Sequence, residues 1–231
     1  MRNQLKISFY KFWHFPVFYF VLLFMVAFGA FIGWKYVGLG IDVSEVFVRS
    51  VRDTSVIIVL NLVTAWFVGN DFGTRTIHHE ITLGHSRWSV LLVRELPVMR
   101  CIVILHFTGV AFSVLTCGYM NGFPGSLFQI QDLFWCLTVA LQLIAQQSII
   151  VLISCIFATP ASAISASAVF TLVTSNILRN FISSPIFTKS VFYLARENTA
   201  ESLVPAAIVA AITLVVTVAA NYLIFRKQEI K

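Results

Sequence analysis

Charged side chains are scarce in this chain: Lys, Arg, Asp and Glu make up only 11% of its 231 residues, while 58% are hydrophobic. A soluble domain is usually about 45–50% apolar, and a soluble fold of this length could not bury the excess. Cysteine is sparse as well. Cys101, Cys117, Cys136 and Cys155 all fall inside apolar segments with no CxxC spacing. That excludes a zinc ribbon or a disulfide framework and leaves them as small packing residues. The chain contains no G-x-x-x-x-G-K-S/T stretch, so it cannot take ATP through a phosphate-binding loop of that kind. His79-Glu80 opens an HExxH pattern, but position 83 is Leu83. His85 lies about 120° further around a helix, so the zinc-protease reading fails on geometry. No Ser/His/Asp set is visible either, and the chain does not read as an enzyme.

What is present is long uncharged sequence. Six apolar runs, at about 15–34, 54–70, 96–119, 133–158, 160–178 and 204–224, approach or exceed the roughly 20 residues that cross a bilayer as a helix. The expected fold is an all-α integral membrane protein, one domain over residues 1–231, with six transmembrane helices. The first run is too long and too rich in Phe for a signal peptide and reads as a retained span. Between the fourth and fifth runs, Ala158-Thr159-Pro160 reads as a tight turn, because proline breaks the hydrogen-bond ladder and disfavours helix just before itself.

Charge sets the expected orientation. With the N-terminus in the cytosol, the inside segments hold ten bases against four acids, and the outside segments six of each. Basic excess on the cytosolic side is what insertion favours. Both termini and residues 71–95 are therefore expected in the cytosol, and the pI near 9.4 records topology rather than a nucleic-acid partner. The outer segments 35–53 and 179–203 are long enough for short helices.

Residues 70–95 carry three arginines, three acids and three of the five histidines. From Thr74 to Leu83 the pattern is amphipathic: Ile77 and Ile81 share one face, with Arg75, His78, His79 and Thr82 on the other. Gly84 stands where a helix would end and Ser86 where the next would be capped. Asp71 is placed to complement the short helix's N-terminal dipole. Arg94 and Arg100, near the cytosolic end of the third run, can snorkel to the interface, so no buried charge is required. The residues predict a helical hairpin beneath the membrane, either an ordinary charged loop or a docking surface.

Asp71-Phe72-Gly73-Thr74-Arg75-Thr76, then Gly84-His85-Ser86-Arg87, then Arg94, resembles the cytosolic signature of ABC-2-type permease subunits. The nearest likeness is to permeases of the bacteriocin-immunity, lantibiotic and bacitracin exporter type. Asp71 replaces the commoner Glu and Arg94 the commoner Lys, and both keep the charge. The resemblance implies a multi-pass protein of the bacterial plasma membrane, a transport subunit concerned with antibiotic resistance or immunity. Residues 74–83 would be its coupling helix between spans two and three. Arg75, His78, His79 and Glu80 would touch an ATP-binding subunit. Asp71, Gly73, Thr74, Gly84, Ser86, Arg87 and Arg94 would anchor the hairpin. ATP and Mg would belong to that partner, present in two copies, and this chain would hold no cofactor. The other implied partners are a second permease, identical or similar, membrane lipid, and a peptide or amphipathic cargo.

Within the runs, Gln142 and Gln146 share a helix face, and Asn61 lies in the second run. They are expected either to face substrate or to hydrogen-bond between helices. Gly29/Gly33, Ala206/Ala210 and Ala207/Ala211 permit close helix approach, within the chain or between copies. The rival to transport is a membrane scaffold or sensor, which would make no use of a docking hairpin.

Overall fold

A computed structural model describes residues 2–74, 76–124, 129–174, 191, 194–195 and 199–227. Among them every regular element is a helix. The order is α1 (Arg2–Trp13), α2 (Pro16–Gly38), α3 (Val43–Val51), α4 (Ile57–Gly73), α5 (Thr76–Thr82), α6 (Arg87–Asn121), α7 (Ile130–Phe157), α8 (Pro160–Leu172) and α9 (Ala200–Lys227). Four of these, α2, α6, α7 and α9, are long and apolar enough to cross a membrane. The other two apolar runs also form helices, but α4 has 17 residues and α8 has 13. The end of the fifth run, 175–178, and most of the segment 179–203 lie outside the described residues.

The boundaries follow local chemistry. Pro16 begins α2 after an extended Phe15, so α1 stands apart as a separate helix, an element absent from the sequence reading. Gln129 and Asp132 form a capping box at the start of α7. The α7–α8 break falls at 158–159, where Ala158 is left-handed (φ 50°) and Thr159 accepts a hydrogen bond from Ser162 N. The segment 35–53 carries one short helix, α3, which buries Val43, Val46, Phe47 and Val51.

Helix α6 is the centre of the assembly. At 1.5 Å per residue its 35 residues measure about 52 Å, well beyond a hydrocarbon core of roughly 30 Å. Against it lies α2, with α7 against α9 and α4 against α8 as the other main pairs. The α2–α6 contact is made by backbone. A Cβ on Gly29 would stand 2.3 Å from Gly109 O, and one on Gly33 2.3 Å from Ser113 O. The GxxxG pair is thus used within the chain. Ala206 and Ala210 are buried, Ala210 in a cluster with Ala145 of α7, whereas Ala207 and Ala211 are not.

Two apolar cores divide the bundle lengthwise. One, at the end bearing α1 and α5, gathers Phe12, Phe18, Leu60, Phe67, Ile102 and Phe225 with their neighbours. The other, at the α3 end, is built around Trp135, Phe47, Val139 and Leu143. Outside them, α2 exposes Tyr19, Phe20, Leu23, Phe31 and Trp34, and α9 exposes Ile208, Ile212, Val215 and Val216. Contiguous apolar surface on this scale needs a hydrocarbon or protein cover.

Replacing Gly29 or Gly33 with alanine drives a methyl into the backbone of α6. Overpacking of this kind costs about 1–3 kcal/mol, and here the obstacle is main chain that cannot rotate away. Gly38, in the same helix, has open space around its Cα and serves as the control. Thermal unfolding in detergent should show Gly29→Ala and Gly33→Ala well below wild type, with Gly38→Ala unchanged or slightly above it.

Candidate functional site

The polar stretch after α4 folds as a helical hairpin. Thr74 turns the chain: its amide and its hydroxyl both donate to Asn70 O, at 2.9 and 2.8 Å. Arg75 lies outside the described residues, as does the side chain of His78. Helix α5 follows, with Ile77 buried and Ile81 packed on the core beside it, the amphipathic division expected from the spacing. Gly84 (φ 87°) ends the turn, a conformation in which a side chain is strained. Ser86 then caps α6 by accepting from Ser89 N at 3.2 Å. Gly73 has Pro160 Cδ 3.0 Å from where a Cβ would stand, so it lets α4 close on the start of α8.

Four charged side chains from four helices hold the hairpin in place. Arg94 of α6 has its Nε 3.1 Å from Asp71 Oδ2 of α4, and its Nη1 donates to Glu80 Oε2 of α5 at 2.9 Å. Nη1 also donates to Val90 O at 2.9 Å. Lys11 of α1 binds the other oxygen of Asp71. The contact at Nε is an ion pair in which the N–H points away from the carboxylate, since no hydrogen bond forms there despite the short distance. Asp71 and Arg94 are 2% and 4% exposed, so this is a buried network.

Two expectations are corrected by this geometry. Arg94 does not snorkel to an interface: two carboxylates and a carbonyl hold it inside, and only Arg100 stays exposed, 5.6 Å from the Phe9 ring. Asp71 is not placed before the short helix to meet its dipole. It lies within α4, and its partners are the two bases. Glu80 gives one oxygen to Arg94 and keeps 26% of its side chain exposed. Among the described residues, the exposed side chains of the hairpin include His79, Thr82, Leu83 and His85.

Arg87 fastens the hairpin to the last helix. Its Nη1 donates to Phe225 O at 3.0 Å and Arg226 O at 2.6 Å, two carbonyls in the last described turn of α9. Trp88 stacks edge-on against Tyr222 at 5.2 Å, and Phe72 against Phe225 at 6.2 Å. Asp71, Arg94 and Arg87, with Lys11 and Glu80, thus tie α1, α4, α5, α6 and α9 together at one corner.

The amides inside the bundle lie elsewhere. Asn61 donates to Thr171 Oγ1 and accepts from Gln147 Nε2, both at 2.8 Å, and Thr64 donates to Gln147 Oε1 at 2.6 Å. This ties α4, α7 and α8 by hydrogen bonds typically worth about 0.6 kcal/mol each in a membrane. Gln142 accepts from Ala195 N at 2.9 Å, beside Trp135, whose Nε1 donates to Ala195 O at 2.7 Å. Gln146 is buried, and its Oε1 has no partner.

The residue reading missed Lys11, counted only as one more cytosolic base, and Asn221, a lone amide in the last apolar run. Its signal was legible: a polar side chain in such a run usually faces a partner. Comparison with protein-family models, with characterised proteins and with solved structures gives no match.

Removing Arg94 leaves the buried Asp71 with Lys11 alone and the half-buried Glu80 without its cation, a loss of up to about 3–5 kcal/mol for a network of this kind. Arg94→Met should lower the unfolding temperature in detergent sharply. Arg94→Lys should recover only part, because a compact ammonium cannot donate to Glu80 and Val90 O while also lying against Asp71 as the broad guanidinium does. Pairing Arg94→Met with Asp71→Asn should cost clearly less than the sum of the single losses.

Proposed function

We propose that the chain is the membrane-spanning permease subunit of an ATP-driven transporter of the ABC-2 type. Its six apolar helices cross the bacterial plasma membrane with both termini and the hairpin in the cytosol. ATP is hydrolysed by a separate subunit docked on that hairpin. The observation that carries this reading is mechanical. A short helix with an exposed outer face is joined by a part-buried ion pair, Glu80–Arg94, to the end of a 35-residue helix that continues into apolar sequence. A charged loop needed only for topology has no use for such a linkage.

In this reading, movement of the ATPase pushes on His79, Leu83 and His85. Glu80 passes the displacement to Arg94 and so to α6, Asp71 carries it to α4, and Lys11 to α1. Arg87 links the same corner to α9. Helix α4, about 26 Å long, crosses with local thinning, and α8 supplies the fifth crossing. A second permease, identical or similar, completes the assembly. The cargo is an amphipathic compound, an antimicrobial peptide above all, drawn from the membrane. Gln146 is the polar group in the bundle best suited to meet it, since Asn61 and Gln142 are engaged between elements. Membrane lipid covers the exposed faces of α2 and α9.

The test is co-purification from native membranes in mild detergent, read by intact-complex mass and by ATP hydrolysis. An ATP-binding subunit should accompany wild type and be lost from Leu83→Glu and from His79→Glu, while the unfolding temperature of each isolated variant stays at the wild-type value. If wild type comes down folded and monodisperse without any ATP-hydrolysing partner, the chain is a scaffold or sensor.

A further inference from the structure

The residue after Arg94 points elsewhere. Consecutive helix positions are about 100° apart, so when Arg94 faces the hairpin, Glu95 faces α7 and α9. Glu95 is 1% exposed, and one carboxylate oxygen accepts from Asn221 Nδ2 of α9 at 2.5 Å. The same Nδ2 donates to Ser148 O of α7 at 3.2 Å, and Thr217 Oγ1 donates to Ser148 Oγ at 2.9 Å. Asn221 is fully buried and its Oδ1 has no partner. That orphan oxygen belongs to the same amide group whose nitrogen meets Glu95, so it lies beside the carboxylate.

The charges around this point do not balance. Lys11 and Arg94 pair with Asp71 and Glu80, two bases for two acids. Arg87 is turned to the carbonyls of Phe225 and Arg226. Among the described residues no base pairs with Glu95. An ionised carboxylate out of water and without a counter-charge is among the costliest arrangements a protein interior can hold, and one amide donor offsets little of it. Something positive must accompany it.

We propose that Glu95 is the centre of a buried site for one monovalent cation, a proton or an alkali ion, built where α6, α7 and α9 meet. The oxygens linked to the carboxylate through Asn221 are its own amide oxygen and the Ser148 carbonyl, with the paired hydroxyls of Ser148 and Thr217 adjoining through Ser148. Oxygen donors of this kind suit a hard cation and offer nothing to a soft metal. A single carboxylate balances a single charge. The titratable neighbours are Arg94 on the same helix, Cys155 on α7, and, through the hairpin network, Asp71, Glu80 and Lys11. Helix α9 turns the neutral Asn221 and Thr217 toward the site. The site stands independently of any ATP-binding partner.

The experiment follows unfolding temperature of the purified full chain in detergent, for wild type and Glu95→Gln. One series raises sodium or potassium chloride against choline chloride at constant ionic strength. The other varies pH without alkali ions. A ligand bound only by the folded state stabilises it by mass action, here roughly 3–6 °C for each tenfold rise beyond the midpoint. Wild type should respond in one series, and Glu95→Gln should lack that response. An alkali-ion response identifies an ion site. Stabilisation on acidification alone, with Glu95→Gln insensitive over the same range, identifies a proton site. Asn221→Ala keeps the carboxylate and removes its amide neighbour, so it should shift the wild-type response by about 10–100-fold in ligand concentration. That variant carries the test if Glu95→Gln fails to fold. If wild type, Glu95→Gln and Asn221→Ala move in parallel in both series, there is no such site.

Discussion

A buried guanidinium must be satisfied by protein, and that requirement organises this molecule. Arg94 is shielded from water, so its charge must be balanced within the chain, and the carboxylates that balance it come from helices α4 and α5. Leaving either out would strand a charge at a cost of several kcal/mol, comparable with the stability of an ordinary domain. The hairpin is therefore fixed by electrostatics as well as by the packing of Ile77. Lys11 extends the same constraint to α1, and Arg87 reaches α9 by a different device, hydrogen bonds to the backbone carbonyls of Phe225 and Arg226.

Away from that corner the physics changes. Where both faces of a helix are apolar, hydrophobicity does not decide which neighbour it chooses, and close approach and polar pairing decide instead. Gly29 and Gly33 let α2 rest on the backbone of α6, Gly69 lets α4 approach Pro160, and Asn61, Thr64 and Gln147 fix α4 against α7. The exposed Phe and Trp of α2 and the exposed Ile and Val of α9 carry no such signal and face outward.

Much of this was legible because it is local. Run length gave the apolar helices, Ala158-Thr159-Pro160 the break between α7 and α8, and Gly84 with Ser86 the turn and cap of the hairpin. The burial of Arg94 was not legible. An arginine near the end of an apolar run looks the same whether it reaches outward to water or inward to acids. The choice rests on Glu80 and Asp71, 14 and 23 positions earlier in the chain. Asp71 misled for a related reason: helix α4 runs past its apolar portion to Gly73, so a residue that looked like a cap lies inside a helix. The separateness of α1 was a matter of one proline, noticed only as part of a long run.

Arg94 and Glu95 lie side by side on α6 and are satisfied in opposite directions, one toward the hairpin and one toward α7 and α9. Helix α6 cannot roll about its axis to improve one set without stretching the other, because hydrogen bonds weaken steeply once distance and angle depart from their narrow range. A displacement of α5 that pulls on Glu80 turns Arg94, and the same turn moves the Glu95 carboxylate relative to Asn221 and Ser148. Occupancy of the Glu95 site and the position of the hairpin are then two readings of one helix rotation. By linkage, whatever stabilises one must bias the other.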